Sequence, residues 1–145
     1  QTIEEIMDTR FFFLLSRVDY TLKAFLREEF RKAGIPFTPG QTGILFLLRK
    51  RDLMNMSELS RALETDNSAV TRLVDSLERG GYVKRTPNPD DRRHYLIAIT
   101  GEGVREIDRV LSITRAANDR IREGFSETEV QAFVRMLQGI LDKFK

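Results

Sequence analysis

The residues of this chain best placed to do chemistry are arginines. Arg92 and Arg93 stand side by side behind Asp90 and Asp91, between two short apolar runs. Tyr82-Val83-Lys84-Arg85 reads as a strand, Thr86 to His94 as a turn, and Tyr95-Leu96-Ile97-Ala98-Ile99 as the return strand. Pro87 and Pro89 are expected to keep the tip out of the ladder. A turn that displays arginine at its tip has the right shape to enter a DNA minor groove. Asp91 and Arg93 lie two residues apart, so the carboxylate can hydrogen-bond the guanidinium and aim its fork. The plain alternative is a surface ion pair, worth ~0–1 kcal/mol and without function. Either Arg92 or Arg93 could enter the groove. Lys84 and Arg85 read as phosphate contacts or as solvated strand residues.

A second constellation lies just upstream. In residues 67–79, Val70, Leu73, Val74 and Leu77 fall at i, i+3, i+4 and i+7, the spacing of a helix face turned to a core. Asn67, Ser68, Thr71, Arg72 and Ser76 are thereby left toward solvent, with Asp75 and Arg79. Short hydrogen-bonding side chains let a helix approach base edges closely, and Arg72 can reach guanine O6/N7 or a phosphate. Alone, such a helix is as well explained by ordinary solvation. The capped short helix before it and the arginine-bearing hairpin after it favour a nucleic-acid reading.

These residues need elements to hold them. Thr38-Pro39-Gly40-Gln41 carries an N-cap, a proline at the first helical position and a reciprocal capping glutamine, so a helix is predicted from there to Lys50. Ser57 is the expected cap of a short helix containing Leu59, Ala62 and Leu63. Asp66 caps the helix 67–79, and Gly80-Gly81 ends it. Upstream, residues 4–33 read as one long helix. Ile6, Phe13, Val18, Leu22, Phe25 and Leu26 recur at helical spacing, while Phe11, Phe12, Leu14 and Leu15 widen the apolar surface beyond one stripe. That excess suggests a second neighbour, in so small a chain another subunit. Downstream, Thr100 caps a helix from about 102 to 123. Ser126 to Glu129 is a capping box for a last helix carrying Val130, Phe133, Met136, Leu137, Ile140, Leu141 and Phe144. The predicted fold is mainly α with a small β-hairpin wing: a winged helix-turn-helix flanked by long N- and C-terminal helices.

Composition excludes several functions. The chain has no cysteine, which removes disulfides, thiolate catalysis and thiol redox sensing. His94, the one histidine, lies in the wing without a nucleophile or metal partner, and no glycine-rich phosphate loop is present. No enzyme, cofactor or metal is expected. The run Phe11–Leu15 is far short of the roughly 20 residues that span a bilayer, so a cytoplasmic protein with no membrane partner is expected. Charge is less helpful: the whole chain carries +2, and residues 57–100 hold seven Lys/Arg against seven Asp/Glu. Any attraction to DNA must come from how charges are arranged. That balance keeps one alternative open, a winged helix used only for protein contacts.

The segment Met56 to Gly103 resembles the winged helix of the MarR family of transcriptional regulators. The resemblance rests on Ser57-Glu58-Leu59-Ser60-Arg61-Ala62-Leu63, on Ser68 to Glu78, and on Gly81-Tyr82-Val83-Lys84-Arg85. Asp91, Arg93, Ile99 and Thr100 fit the family's wing signature, with isoleucine where leucine is usual. The resemblance implies a single MarR-like domain over 1–145, with a DNA-binding region at 38–100 and helical dimerisation regions at 1–33 and 102–145. It implies a homodimer on double-stranded DNA, reading a pseudo-palindromic operator, most often as a repressor. For many members it also implies release by a small, often phenolic or otherwise anionic, effector. Phe13, Arg17 and Phe37 are the candidate lining of such a pocket, two aromatic walls and a cation; the plain alternative is two core phenylalanines and an exposed arginine.

Overall fold

The computed structural model describes residues 1–8 and 10–145, with the side chains of Ile6, Met7 and Asp8 left aside; the core position expected at Ile6 lies outside the described side chains. The helices are α1 (Ile3–Asp8), α2 (Phe11–Ala33), α3 (Pro39–Lys50), α4 (Met56–Leu63), α5 (Asn67–Arg79), α6 (Gly101–Arg122) and α7 (Glu127–Lys143). The strands are β1 (Met54–Asn55), β2 (Val83–Asn88) and β3 (Asp91–Ile99), in one antiparallel sheet ordered β1-β3-β2. Two compact units follow, Gln1–Ile113 and Thr114–Lys145, each described by itself.

The first unit holds the buried core. Phe30 of α2, Ile44, Leu45 and Leu48 of α3, Leu59 of α4, and Val70, Val74 and Leu77 of α5 meet Val83 and Ile97 of the sheet and Ile107 and Val110 of α6. In α5 these are the residues that helical spacing singles out, so α5 is pinned by one side and its other side is left outward; in α2 the buried residue is Phe30, while Phe13, Val18 and Leu22 are exposed. Local signals set the boundaries. Thr38 N–H donates to Gln41 Oε1 at 2.8 Å, closing the entry to α3. Asp66 accepts from the Ala69 amide at 2.7 Å at the entry to α5. Beyond α5, Gly81 takes φ +83, a left-handed turn that feeds the chain into β2. Among the described residues, no helix is long and apolar enough to cross a membrane.

Four expectations are corrected. The N-terminal helix is two helices, α1 and α2, with Arg10 extended at φ −111 and ψ 110. The cap of α4 is Asn55, not Ser57: Asn55 Oδ1 accepts from the Glu58 amide at 2.8 Å and Glu58 Oε1 accepts from the Asn55 amide at 3.2 Å. Asn55 also ends β1, a strand that pairs Met54 with Ile97 and was not anticipated. The wing strands run further than expected, to Asn88 and from Asp91, because β2 is an edge strand and tolerates Pro87.

In the second unit, Ser126 Oγ accepts from the Glu129 amide at 3.1 Å and Glu129 Oε1 accepts from the Ser126 amide at 2.9 Å, the expected capping box. No residue of α7 is buried.

Candidate nucleic-acid interface

The wing is built from an irregular ladder. Val83 to Pro87 of β2 pair in step with Ile99 to Tyr95 of β3, and then Asn88 pairs with Asp91. One step along β2 therefore spans four along β3, and Arg92, Arg93 and His94 are excluded from the pairing. A bulge of this kind re-aims side chains at a sheet's rim. The tip itself is tied: the Asp90 amide donates to Asn88 Oδ1 at 3.0 Å.

Asp91 organises the bulge. Its Oδ1 accepts from the Arg93 amide at 3.1 Å and from Arg93 Nε at 3.3 Å. The backbone bond first, and the guanidinium bond second, hold the Asp91 carboxyl below the usual aspartate range. His94 Nε2 lies 3.6 Å from the other carboxylate oxygen. The Arg93 side chain is 86% exposed although its Nε is held, so the guanidinium projects from a fixed base. Arg92 is exposed beside it, and Lys84 lies exposed on β2.

On α5, Asn67, Ser68, Thr71 and Arg72 are exposed. Thr71 Oγ1 donates to the Asn67 carbonyl at 2.8 Å, and Ser60 Oγ donates to Asn67 Oδ1. Two predicted contacts are placed elsewhere. Ser76 is half-buried and accepts from Gln41 Nε2 at 2.9 Å, because α3 packs against that side of α5. Arg85 is half-buried between α5 and the sheet: Nη1 donates to Glu78 Oε1 at 2.9 Å and Nη2 to Asp75 Oδ1. The Asp75 bond raises the Arg85 pKa further, against the effect of burial. With both Nη groups engaged, Arg85 ties β2 to α5. Asp75 and Glu78, three residues apart on one helix, were a visible acidic pair; their partner depended on how β2 lies against α5.

The candidate effector set does not hold together either. Phe37 is 6% exposed and packs edge to face on Tyr82, centroids 4.7 Å apart, so it belongs to the core. Phe13 and Arg17 lie exposed on α2. Among the described residues, no cluster of three acids or histidines is arranged to hold a metal.

The balanced charge of residues 57–100 now has an explanation. Glu58 and Asp66 cap helices, Asp75 and Glu78 hold Arg85, and Asp91 holds Arg93. Arg72, Arg79, Lys84 and Arg92 stand exposed with no ion pair among the described residues. Five of the seven acids are engaged in caps or ion pairs, while Glu64 and Asp90 are exposed alongside these bases.

A family model described as the MarR family matches residues 37–95. The chain is 31% identical over 124 residues to the HTH-type transcriptional repressor MdtR of Bacillus subtilis, covering 81% of this chain and 79% of that one. The chain belongs to the MarR family. The HTH-type transcriptional regulator PecS of Dickeya dadantii is 34% identical over 133 residues, covering 89% of this chain and 78% of its own. Among solved structures, a mutant E. coli MarR complexed with operator DNA matches at a TM-score of 0.81 and 25% identity, over 88% of this chain and 91% of that one. A DNA-bound CouR repressor shares the fold at a TM-score of 0.87 and 23% identity, over 97% of this chain and 98% of that one. As a MarR-family protein, this chain is a DNA-binding transcriptional regulator and not an enzyme.

Proposed function

We propose that the protein is a homodimeric repressor that reads a pseudo-palindromic operator in double-stranded DNA. Residues 38–100 form the reading region and residues 1–33 and 102–145 the dimerisation regions. Ser68, Thr71 and Arg72 of α5 enter the major groove, with Asn67 at its entry. Arg93 enters the adjacent minor groove, and Arg92 and Lys84 meet phosphates. The observation that carries this reading is Arg93, held by Asp91 at its base yet 86% exposed, on a bulge outside the ladder. A side chain aimed before binding loses less freedom on entering a groove. Relatives named as repressors, MdtR among them, support the direction of control.

Exposed apolar side chains support self-association. Phe11, Phe12, Leu14 and Val18 line α2, and Phe133, Met136 and Leu141 line α7. Release by a small anionic aromatic effector belongs to the same reading, through preference for a dimer whose α5 helices are misplaced for DNA. Phe37 is no part of its lining. A cytoplasmic location belongs to the same reading.

Selection of bound duplexes from a random pool tests the reading. Recovery of a pseudo-palindrome is the expected result. Enrichment of a single unrepeated motif would exclude the two-fold mode, and no enrichment would exclude sequence-specific reading.

A further inference from the structure

Arg85 belongs to the wing but spends its charge on the recognition helix. It lies on β2, opposite Ile97, with its side chain 26% exposed. One Nη group takes Asp75 and the other takes Glu78, carboxylates that are 42% and 38% exposed. To touch a phosphate it would have to leave both. The consequence for the helix lies in the spacing. Asp75 stands three residues after Arg72 and four before Arg79, the two separations at which helix side chains pair. Yet neither Arg72 nor Arg79 makes an ion pair among the described residues, while Asp75 binds Arg85.

We propose that Arg85 is a positioning residue for DNA recognition: it occupies Asp75 and Glu78, which keeps Arg72 and Arg79 available for DNA and fixes the wing to α5. Without it, Asp75 is a bare carboxylate on the reading helix. It would draw Arg72 or Arg79 sideways along α5 and repel nearby phosphates. The wing would also lose its side-chain tie to α5, leaving Arg93 less well placed relative to the helix. This role rests on the reading of α5 and the wing as the DNA contact.

The test is a series in the full-length protein: Arg85→Met, Asp75→Asn/Glu78→Gln, and the triple variant. Each is titrated across salt with a mixed-sequence duplex and with duplexes selected by the wild-type protein. Arg85→Met should weaken selected-duplex binding about tenfold, within the roughly 5–150-fold range by which one site is coupled to another. Its salt slope should fall only as far as Arg72 or Arg79 is drawn off phosphate, and should return to the wild-type value in the triple variant. The triple variant should recover most of the affinity, because the carboxylates that needed Arg85 are gone. A direct phosphate contact gives a different pattern: a slope that stays smaller by about 0.9, and no recovery of affinity, in the triple variant. That result would overturn the proposal, as would unchanged affinity in Arg85→Met. If Arg85→Met does not fold, Arg85→Lys replaces it: one ammonium can serve only one carboxylate, so an intermediate loss is expected, and wild-type affinity overturns the proposal. Should the wild-type protein bind neither duplex, the reading of α5 and the wing fails, and this role falls with it.

Discussion

A single carboxylate sets the direction of the Arg93 side chain in the wing. Asp91 receives the Arg93 amide and the Arg93 Nε on one oxygen, so backbone and side chain are oriented together. Arg93→Ala should weaken operator binding by about 1–3 kcal/mol, the scale of one good groove contact. Unchanged affinity in a folded dimer would remove Arg93 from the interface. Arg72→Ala separates two roles by fluorescence titration on single-base operator variants: loss of discrimination at one position marks a base contact, and a uniform loss marks a phosphate contact. The Asp91 arrangement also has a pH signature. Its folded pKa lies below its unfolded value, so its contribution is present above the unfolded pKa and is lost as pH falls through the folded one. Carboxyl NMR titration should place Asp91 below the ordinary aspartate value of about 3.9. Arg93→Ala should return it only part of the way, since the larger cause, the bond from the residue 93 amide, remains. A full return, or no shift in the wild type, would contradict the clamp.

Among the elements, the joint between α5, the wing and α6 is the most constrained. The Thr100 amide donates to the Tyr82 carbonyl at 3.0 Å, and Thr100 Oγ1 donates to the Gly81 carbonyl at 2.7 Å while accepting from the Gly103 amide at 3.1 Å. A Cβ at Gly103 would run into the Tyr82 carbonyl and sit 2.7 Å from Ile99 Cγ1. Backbone cannot yield as a side chain can, so Gly103→Ala should cost about 1–3 kcal/mol, read by thermal or denaturant unfolding. An unchanged midpoint would mean that the joint is looser than it looks. Much of this architecture was legible because its signals are local. Thr38-Pro39-Gln41 announces α3, and Asp66 with Gly80-Gly81 brackets α5. Two-residue β1 carries no periodicity to read. The start of the Arg92–His94 bulge depends on β3 slipping past β2, which residue types do not record. Site residues divide in the same way. Asp91 and Arg93 are neighbours in the chain and could be paired from spacing. Ser76 and Arg85 were assigned outward, and only α3 and β2 packing on α5 turns them inward. Phe37 shows the limit of residue type, since a core phenylalanine and a pocket wall read alike.

At the scale of the whole molecule, the apolar side chains that no core of this chain covers point to a second copy. In α2, Phe11 is 79% and Phe12 86% exposed; in α7, Met136 and Leu141 are each 60% exposed. Exposed apolar side chains clustered along a helix mark an interaction site. A homodimer is expected by analytical ultracentrifugation, and Met136→Asp/Leu141→Asp should shift it to monomer by burying charge in the interface. Loss of the dimer has a consequence for DNA that loss of one contact does not. Two linked reading heads bind the second half-site as an intramolecular event, which raises affinity by roughly 10²–10⁴ without new contacts. The monomeric variant should therefore lose about that factor on the full operator, while its affinity for an isolated half-site stays at the wild-type level. The spacing of half-sites gives an independent check. Two-fold symmetry sets their centres about 34 Å apart, one turn of B-DNA. Inserting half a turn between them turns one half-site to the opposite face and should weaken the wild type to the level of the monomeric variant. A wild-type protein that sediments as a monomer and ignores the inserted half-turn would bind as independent heads, and the two-fold reading would then be wrong.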